Sequence, residues 1–135
     1  MGQLGAQVAR NADRTVRMTA LAVDQAVVLA TPVDKGRARS NWLAELDSPA
    51  RTTVEAYAPG EAGSTASANT AAAIAQAQAA IALYDGDRNQ AIAISNNLPY
   101  IMPLNSGSSR QAPAGFIEKA VQAGVSQVKG ARLLR

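Results

Sequence analysis

The stretch TPVDKGRARSNW, Thr31 to Trp42, is where the chain stops reading as helix. Before it, no Gly or Pro interrupts the sequence from Gly5 to Ala30, and Leu4, Val8, Ala12 and Val16 recur at every fourth position. At about 100° per residue these four share one stripe with Arg10, Arg14 and Arg17 opposite, which predicts a long amphipathic N-terminal helix. Ala20 to Ala30 is apolar nearly all round except at Asp24 and Gln25, so that half is expected to be buried on more than one side. Pro32 has no N–H to donate and disfavours helical geometry at Thr31, so the helix should end there. Asp34, Lys35 and Gly36 then read as a turn, with Gly36 free to take a positive φ.

Beyond the turn, Ala38 to Asp47 and Thr52 to Ala58 are expected as two short strands around Ser48-Pro49, with Trp42, Ala44 and Leu46 on one face. If Gly36 to Trp42 is extended, Lys35, Arg37 and Arg39 point to one side and Ala38, Ser40 and Trp42 to the other. The charges would then stand off the sheet, as a solvated face or as a contact for an acidic partner or nucleic-acid backbone, while the indole enters the core. Pro59 to Asn69 is small and polar, the composition of a mobile loop that could also cap the next element. Thr70 to Tyr84 is Ala-rich and helix-prone but has few bulky apolar positions, so it should dock on a partner element. Asp85-Gly86-Asp87 ends it, and Ala91 to Ser95 reads as a strand with Ile92 and Ile94 facing one way. Asn96 to Ala114 is punctuated by Pro99, Pro103, Gly107 and Pro113 and reads as loop. Phe116, Ile117, Ala120, Val121, Val125 and Val128 form a final helical stripe, locally weakened by Gly124 and ending among Lys129, Arg132 and Arg135.

This pattern is an α+β fold: a long N-terminal helix, a small antiparallel sheet of about three or four strands, an inserted Ala-rich helix and a C-terminal helix. The 135 residues are expected to form a single domain, with 59–87 as a loop-helix insertion. Composition narrows the chemistry. Cysteine and histidine are absent, which removes disulfides, Cys and His metal ligands, thiol nucleophiles and the commonest general base. A formal charge of +3, from 13 Lys and Arg against 10 Asp and Glu, permits nucleic acid nearby without demanding it. No apolar run approaches the roughly 20 residues that cross a bilayer, and Met1 to Asn11 lacks a secretory signal's apolar stretch, so a soluble, cytoplasmically made chain is expected. Aromatics are only 4%, which leaves the core to Ala, Val, Ile and Leu and suits close helix packing or a core shared between subunits.

Local motifs for chemistry are weak. Asp85, Asp87 and Asn89 copy the first ligand positions of a calcium loop, but Gln90 stands where its Gly is required and Asn96 where its closing Glu belongs, so a capped turn is the better account. Gly107, Ser108, Ser109 and Arg110 could cradle a phosphate, but no P-loop or dinucleotide pattern accompanies them. A Ser-Lys pair would have to use Lys35, Lys119 or Lys129, and nothing ties one of them to a particular serine. Carboxylate pairs such as Glu45 with Asp47 sit where solvation is the default.

The opening stretch resembles the TPVDTGxLRxSW signature of the tail-completion and neck proteins of long-tailed bacteriophages, a group that includes head-tail joining and minor tail protein Z-like members. Thr31, Pro32, Val33, Asp34, Gly36, Arg39 and Trp42 match it. Ser95 to Val121, SNNLPYIMPLNSGSSRQAPAGFIEKAV, is similar to a second block of that family, a strand followed by N-x-x-Y, LExGxS and QAPxGF segments. Asn97, Tyr100, Leu104, Gly107, Ser109, Gln111, Ala112, Pro113, Gly115 and Phe116 match that one. Lys35, Ala38, Asn41 and Asn105 stand where Thr or Ser, Leu, Ser and Glu are commoner. Gly60 to Asp85 is the part least like the family.

The resemblance implies a structural virion protein and not an enzyme, without cofactor or metal, that forms a homo-oligomeric ring, plausibly a hexamer, at the head-tail junction or the top of the tail tube. Its partners would be copies of itself, portal or connector proteins and the tail tube or terminator, with double-stranded DNA passing through and no membrane contact. Its place would be the virion neck or tail, after synthesis in the host bacterial cytoplasm. Subunit or partner contacts would fall on Lys35, Arg37, Arg39, Asn105, Ser109 and Arg110, and Pro32, Gly36, Trp42, Tyr100, Gly107, Pro113 and Phe116 would define the fold. Rival readings are a DNA-binding packaging accessory protein and a small cell-wall hydrolase.

Overall fold

Pro32 does end the first helix. A computed structural model of the chain describes residues 3–32, 36–60, 63–88, 90–108 and 114–133. Helix α1 runs Gln3–Ala30, and its last turn closes with Thr31 N–H donating to the Val28 carbonyl at 3.3 Å. The second half of α1 is covered on two sides, by α3 (Ala66–Ala82) and by α5 (Phe116–Leu133), as its all-round apolar composition requires. Gly124 of α5 is the point of closest approach: a Cβ there would lie 2.7 Å from the Val23 Cα. The glycine that weakens α5 as a helix is therefore what lets its backbone lie against α1.

The expected local hairpin is overturned. Arg37–Ser40 forms a single helical turn, α2, and the strand that follows is only Leu43–Leu46, β1. Its partner is β2, Ile92–Ser95, paired antiparallel with Leu43 opposite Ser95 and Leu46 opposite Ile92. Among the described residues the sheet has these two strands, not three or four. Residues 51–56 take no regular structure. The physical reason lies in Asn41: its side-chain amide donates to the Val54 carbonyl at 2.7 Å and accepts from Val54 N–H at 2.8 Å, so a side chain occupies the place a neighbouring strand would take. The expected one-sided alternation of Trp42, Ala44 and Leu46 does not hold either: the strand begins after Trp42, and Leu43 and Ala44 are both buried.

The other elements follow their sequence signals with shifted bounds. The inserted helix begins earlier than Thr70, at Ala66, and Gly86–Arg88 forms the turn after it. The segment expected as loop from Asn96 to Ala114 contains a short helix, α4 (Ile101–Pro103), continuing as a wider coil over Leu104–Ser108 with Gly107 at φ 97°. Two clusters make the interior. Val27, Val28, Trp42, Ala73, Ile101, Phe116 and Ala120 pack together, and Ala44, Ala77 and Ile81 form the second, with Ile94 touching both. On α3 the buried face is Asn69, Ala73, Ala77 and Ile81, a four-residue repeat whose two central alanines let α1 and the sheet approach closely. No helix of the described residues is long and apolar enough to cross a membrane.

Candidate functional site

Three adjacent fully buried polar residues sit in the opening stretch and its partner helix: Ser40, Asn41 and Asn69. Buried polar groups cost free energy unless bonded, and here each one is. Ser40 Oγ–H lies 2.8 Å from the Gly36 carbonyl and 2.9 Å from Asn69 Oδ1, and it also receives Tyr57 N–H. Asn69 Nδ2 donates to the Ala58 and Thr65 carbonyls while Asn69 Oδ1 accepts from Ala58 N–H. The network ties α2, the 54–58 segment and the start of α3 into one unit. Gly36 has φ +84°, and a Cβ there would overlap the Asn69 amide, so two independent constraints select glycine.

Trp42 is 6% exposed, and its indole N–H donates to Thr31 Oγ1 at 2.8 Å. Thr31 Oγ–H in turn donates to the Val27 carbonyl at 2.6 Å, so the tryptophan is anchored on the end of α1. Arg39 does not stand off the sheet, because Arg37 and Arg39 lie on a helical turn and diverge. Arg39 reaches back to the Thr31 and Leu29 carbonyls at 2.9 and 3.0 Å and across to Thr70 Oγ1 at 2.9 Å. It caps the C-terminal end of α1, where a positive charge is favoured, and burial lowers its pKa from the usual value. Arg37 donates to the Val54 carbonyl and Thr53 Oγ1, both at 3.3 Å, and pairs loosely with Glu55 at 3.7 Å. Both guanidiniums are thus engaged within the chain. Lys35 lies outside the described residues.

Asn105 is also engaged internally. Its Oδ1 accepts Ile117 N–H at 2.9 Å, its Nδ2 donates to the Glu118 carboxylate, and its carbonyl accepts Gly115 N–H at 2.6 Å, which together cap the start of α5. Ser109, Arg110 and Pro113 lie outside the described residues. Phe116 is buried in the core, Gly107 carries its positive φ, and Pro32 is half-buried at the end of α1. Tyr100 is 40% exposed beside Met102 at 65%, so these two stand on the surface while Ile101 between them enters the core. Burial raises the Tyr100 pKa, with Arg37 and Glu55 acting on it in opposite directions.

Asp24 was passed over in the sequence as a mere interruption. It is 0% exposed, and neither carboxylate oxygen has a hydrogen-bond partner among the described residues. Its neighbours along α1, Ala20 and Leu21 before it and Val27 and Val28 after it, pack on Ala77, Ile81 and Ala73. Burial in this seam pushes the carboxyl up to about 7; the Tyr57 phenol is raised by its own burial and secondarily by the Asp24 charge. The signal was available: a lone acid in an apolar run, on the same helical face as Val27, Val28 and Thr31.

An open groove of about 520 Å³ lies between α1 and α3, lined by Arg14, Arg17, Met18, Leu21, Gln78, Ile81 and Ala82. Arg17 Nη1 donates to the Tyr84 carbonyl at 3.1 Å. Asp85 and Asp87, the start of the calcium-like run, form a turn in which Asp87 N–H donates to Asp85 Oδ1 at 2.9 Å; Asn89 lies outside the described residues. Among the described residues no group of three or more potential ligands is placed to hold a metal ion. Comparison with family models, curated proteins and solved structures finds no match for this chain.

Proposed function

We propose that this chain is a structural subunit of a long-tailed phage particle, a neck or tail-completion protein that forms a ring joining connector to tail and lets DNA pass. The observation that carries the reading is the convergence of the two sequence blocks that resemble that family. Trp42 from the first packs in one cluster with Ile101 and Phe116 from the second. Asn96 Nδ2 of the second donates to the Ala38 carbonyl of the first at 2.9 Å. Residues separated by more than fifty positions that resemble one family thus also build one core, as a shared fold requires. The shape of the chemistry supports the same reading. The buried polar side chains of the signature hold the backbone in place, and the exposed apolar side chains Tyr100, Met102, Leu29 and Leu83 offer area to neighbours. A closing ring needs contacts between two different surfaces of the same chain. The test is to locate the chain in intact particles by electron cryomicroscopy with a tagged copy. A ring of its density at the head-tail junction is expected, and particles with no such density there overturn the reading.

A further inference from the structure

We propose that copies of this chain join by parallel strand addition, residues 51–55 of one copy pairing with the outer edge of β2 in the next. This rests on the ring reading and specifies its contact. The argument begins with the direction of backbone groups. Asp47 N–H donates to the Ala91 carbonyl at 2.7 Å, so the bonded pairs of the two-stranded ladder fall at odd-numbered residues of β2, and the N–H and C=O of Ile92 and Ile94 point away from β1. On the far side of β1 the outward groups of Ala44 are covered, because Gln76 of α3 accepts Ala44 N–H at 3.0 Å and donates to the Ala44 carbonyl at 2.8 Å, and the Leu46 carbonyl accepts Ser48 N–H at 2.9 Å. At Ile92 and Ile94 no hydrogen-bond partner is found among the described residues. Among the described residues, then, a side chain covers the outer groups of Ala44 on one edge, and nothing bonds those of Ile92 and Ile94 on the other.

The same chain carries a second segment whose backbone is half satisfied. Asn97 Nδ2 donates to the Ala50 and Thr52 carbonyls, and Asn41 takes both backbone groups of Val54. The backbone of Ala50, Thr52 and Val54 is thus bonded within the chain, while among the described residues the backbone N–H and C=O of Arg51, Thr53 and Glu55 have no hydrogen-bond partner, and all three side chains are exposed. In a parallel ladder one residue bonds to the two that flank its opposite number. Thr53 set against Ala93 would therefore donate to the Ile92 carbonyl and accept from Ile94 N–H, two groups with no partner among the described residues. Charge selects the direction. The Ala91 end of β2 carries Asp47, Asp85 and Asp87 against Arg88, and the parallel alignment brings Arg51 to that end and takes Glu55 away from it. The two edges belong to different surfaces, so the contact is head-to-tail and can propagate around a ring.

The chain has no cysteine, so introduced thiols report cleanly. Thr53→Cys and Ala93→Cys proteins are mixed over a range of concentrations, oxidised, and analysed by mass spectrometry alongside light scattering. The expected result is a disulfide between position 53 of one copy and position 93 of another, and a ladder of such links in the double variant. A second variant, Thr53→Pro, removes the outward N–H at an exposed site; it should keep the circular dichroism spectrum and melting temperature while abolishing self-association. Oligomers without the 53–93 link, or with links only between like positions, overturn strand addition and leave a ring built on another surface. A chain that stays monomeric at every concentration overturns it as well, while the neck assignment stands or falls on the particle images.

Discussion

Asp24 is the residue whose environment departs most from its chemistry. A carboxyl with an ordinary pKa of 3.8 is held at about 7 by burial alone. The folded state therefore keeps a proton that the unfolded chain gives up, and the sign follows: below about pH 4 both states are protonated, and as pH rises toward 7 the fold loses stability relative to the unfolded chain. The whole interval is worth at most about 4 kcal/mol. Wild-type protein should melt at a clearly lower temperature at pH 8 than at pH 5. Asp24→Asn should flatten that dependence and be the more stable protein at pH 8; parallel profiles for the two would show that the carboxyl is solvated. Trp42 offers the opposite case, a side chain whose role was legible from its type and place. Trp42→Ala should cost about 3–5 kcal/mol in a denaturant titration, because the cavity and the lost indole hydrogen bond to Thr31 add to the lost apolar area. A change below about 1 kcal/mol would contradict the buried, anchored indole. The arginines beside it were misread because Arg37 to Ser40 coils, and helical geometry sends side chains two residues apart to different faces.

At the scale of elements, the three long helices and the strand at Ile92–Ser95 were legible, and the strand pairing and the short helices were not. Helix signals are local, so α1 and α5 showed in the spacing of their apolar residues and α3 in its alanine content. The pairing of β1 with β2 joins residues such as Leu43 and Ser95, and no local pattern encodes a partner that distant. The Asn41–Val54 clasp was equally invisible, since a side chain standing in for a strand has no spacing rule. Gly124 shows two opposed effects that magnitude can separate. Replacing it with alanine gains about 1 kcal/mol of helix propensity. The new Cβ would lie 2.7 Å from the Val23 Cα and 2.8 Å from its N, and backbone cannot rotate aside as a side chain can. Forced separation of two packed helices costs about 1–3 kcal/mol, so Gly124→Ala should lower the melting temperature. A rise would mean that α1 and α5 stand further apart. Asn105→Ala should cost about 1 kcal/mol through loss of the α5 cap. If Asn105 served a partner instead, stability would be unchanged and only assembly would suffer.

For the whole molecule the open matter is what its positive charge does. Of the 13 Lys and Arg, the two in the signature that are described, Arg37 and Arg39, are turned to backbone and hydroxyl oxygens of the chain itself. A guanidinium committed in this way cannot also neutralise a phosphate without giving up its internal bonds. Arg39→Glu should therefore unfold or markedly destabilise the protein by placing an acid against the carbonyls that end α1, whereas Arg37→Glu, at a half-exposed site, should shift the melting temperature only slightly. For DNA the consequence is a shallow salt dependence. Each phosphate neutralised contributes about −0.9 to the slope of log affinity against log salt, so a subunit that lines a channel without gripping its contents should give a slope of about −3 or shallower. Mobility shifts on duplex DNA at 50 and 200 mM salt measure it, and weak binding at both is expected. A slope near −6 would mean that many more side chains meet phosphates at once. That many contacts would turn the protein from a passage through which DNA moves into one that holds it, and would favour the packaging-accessory reading over the ring.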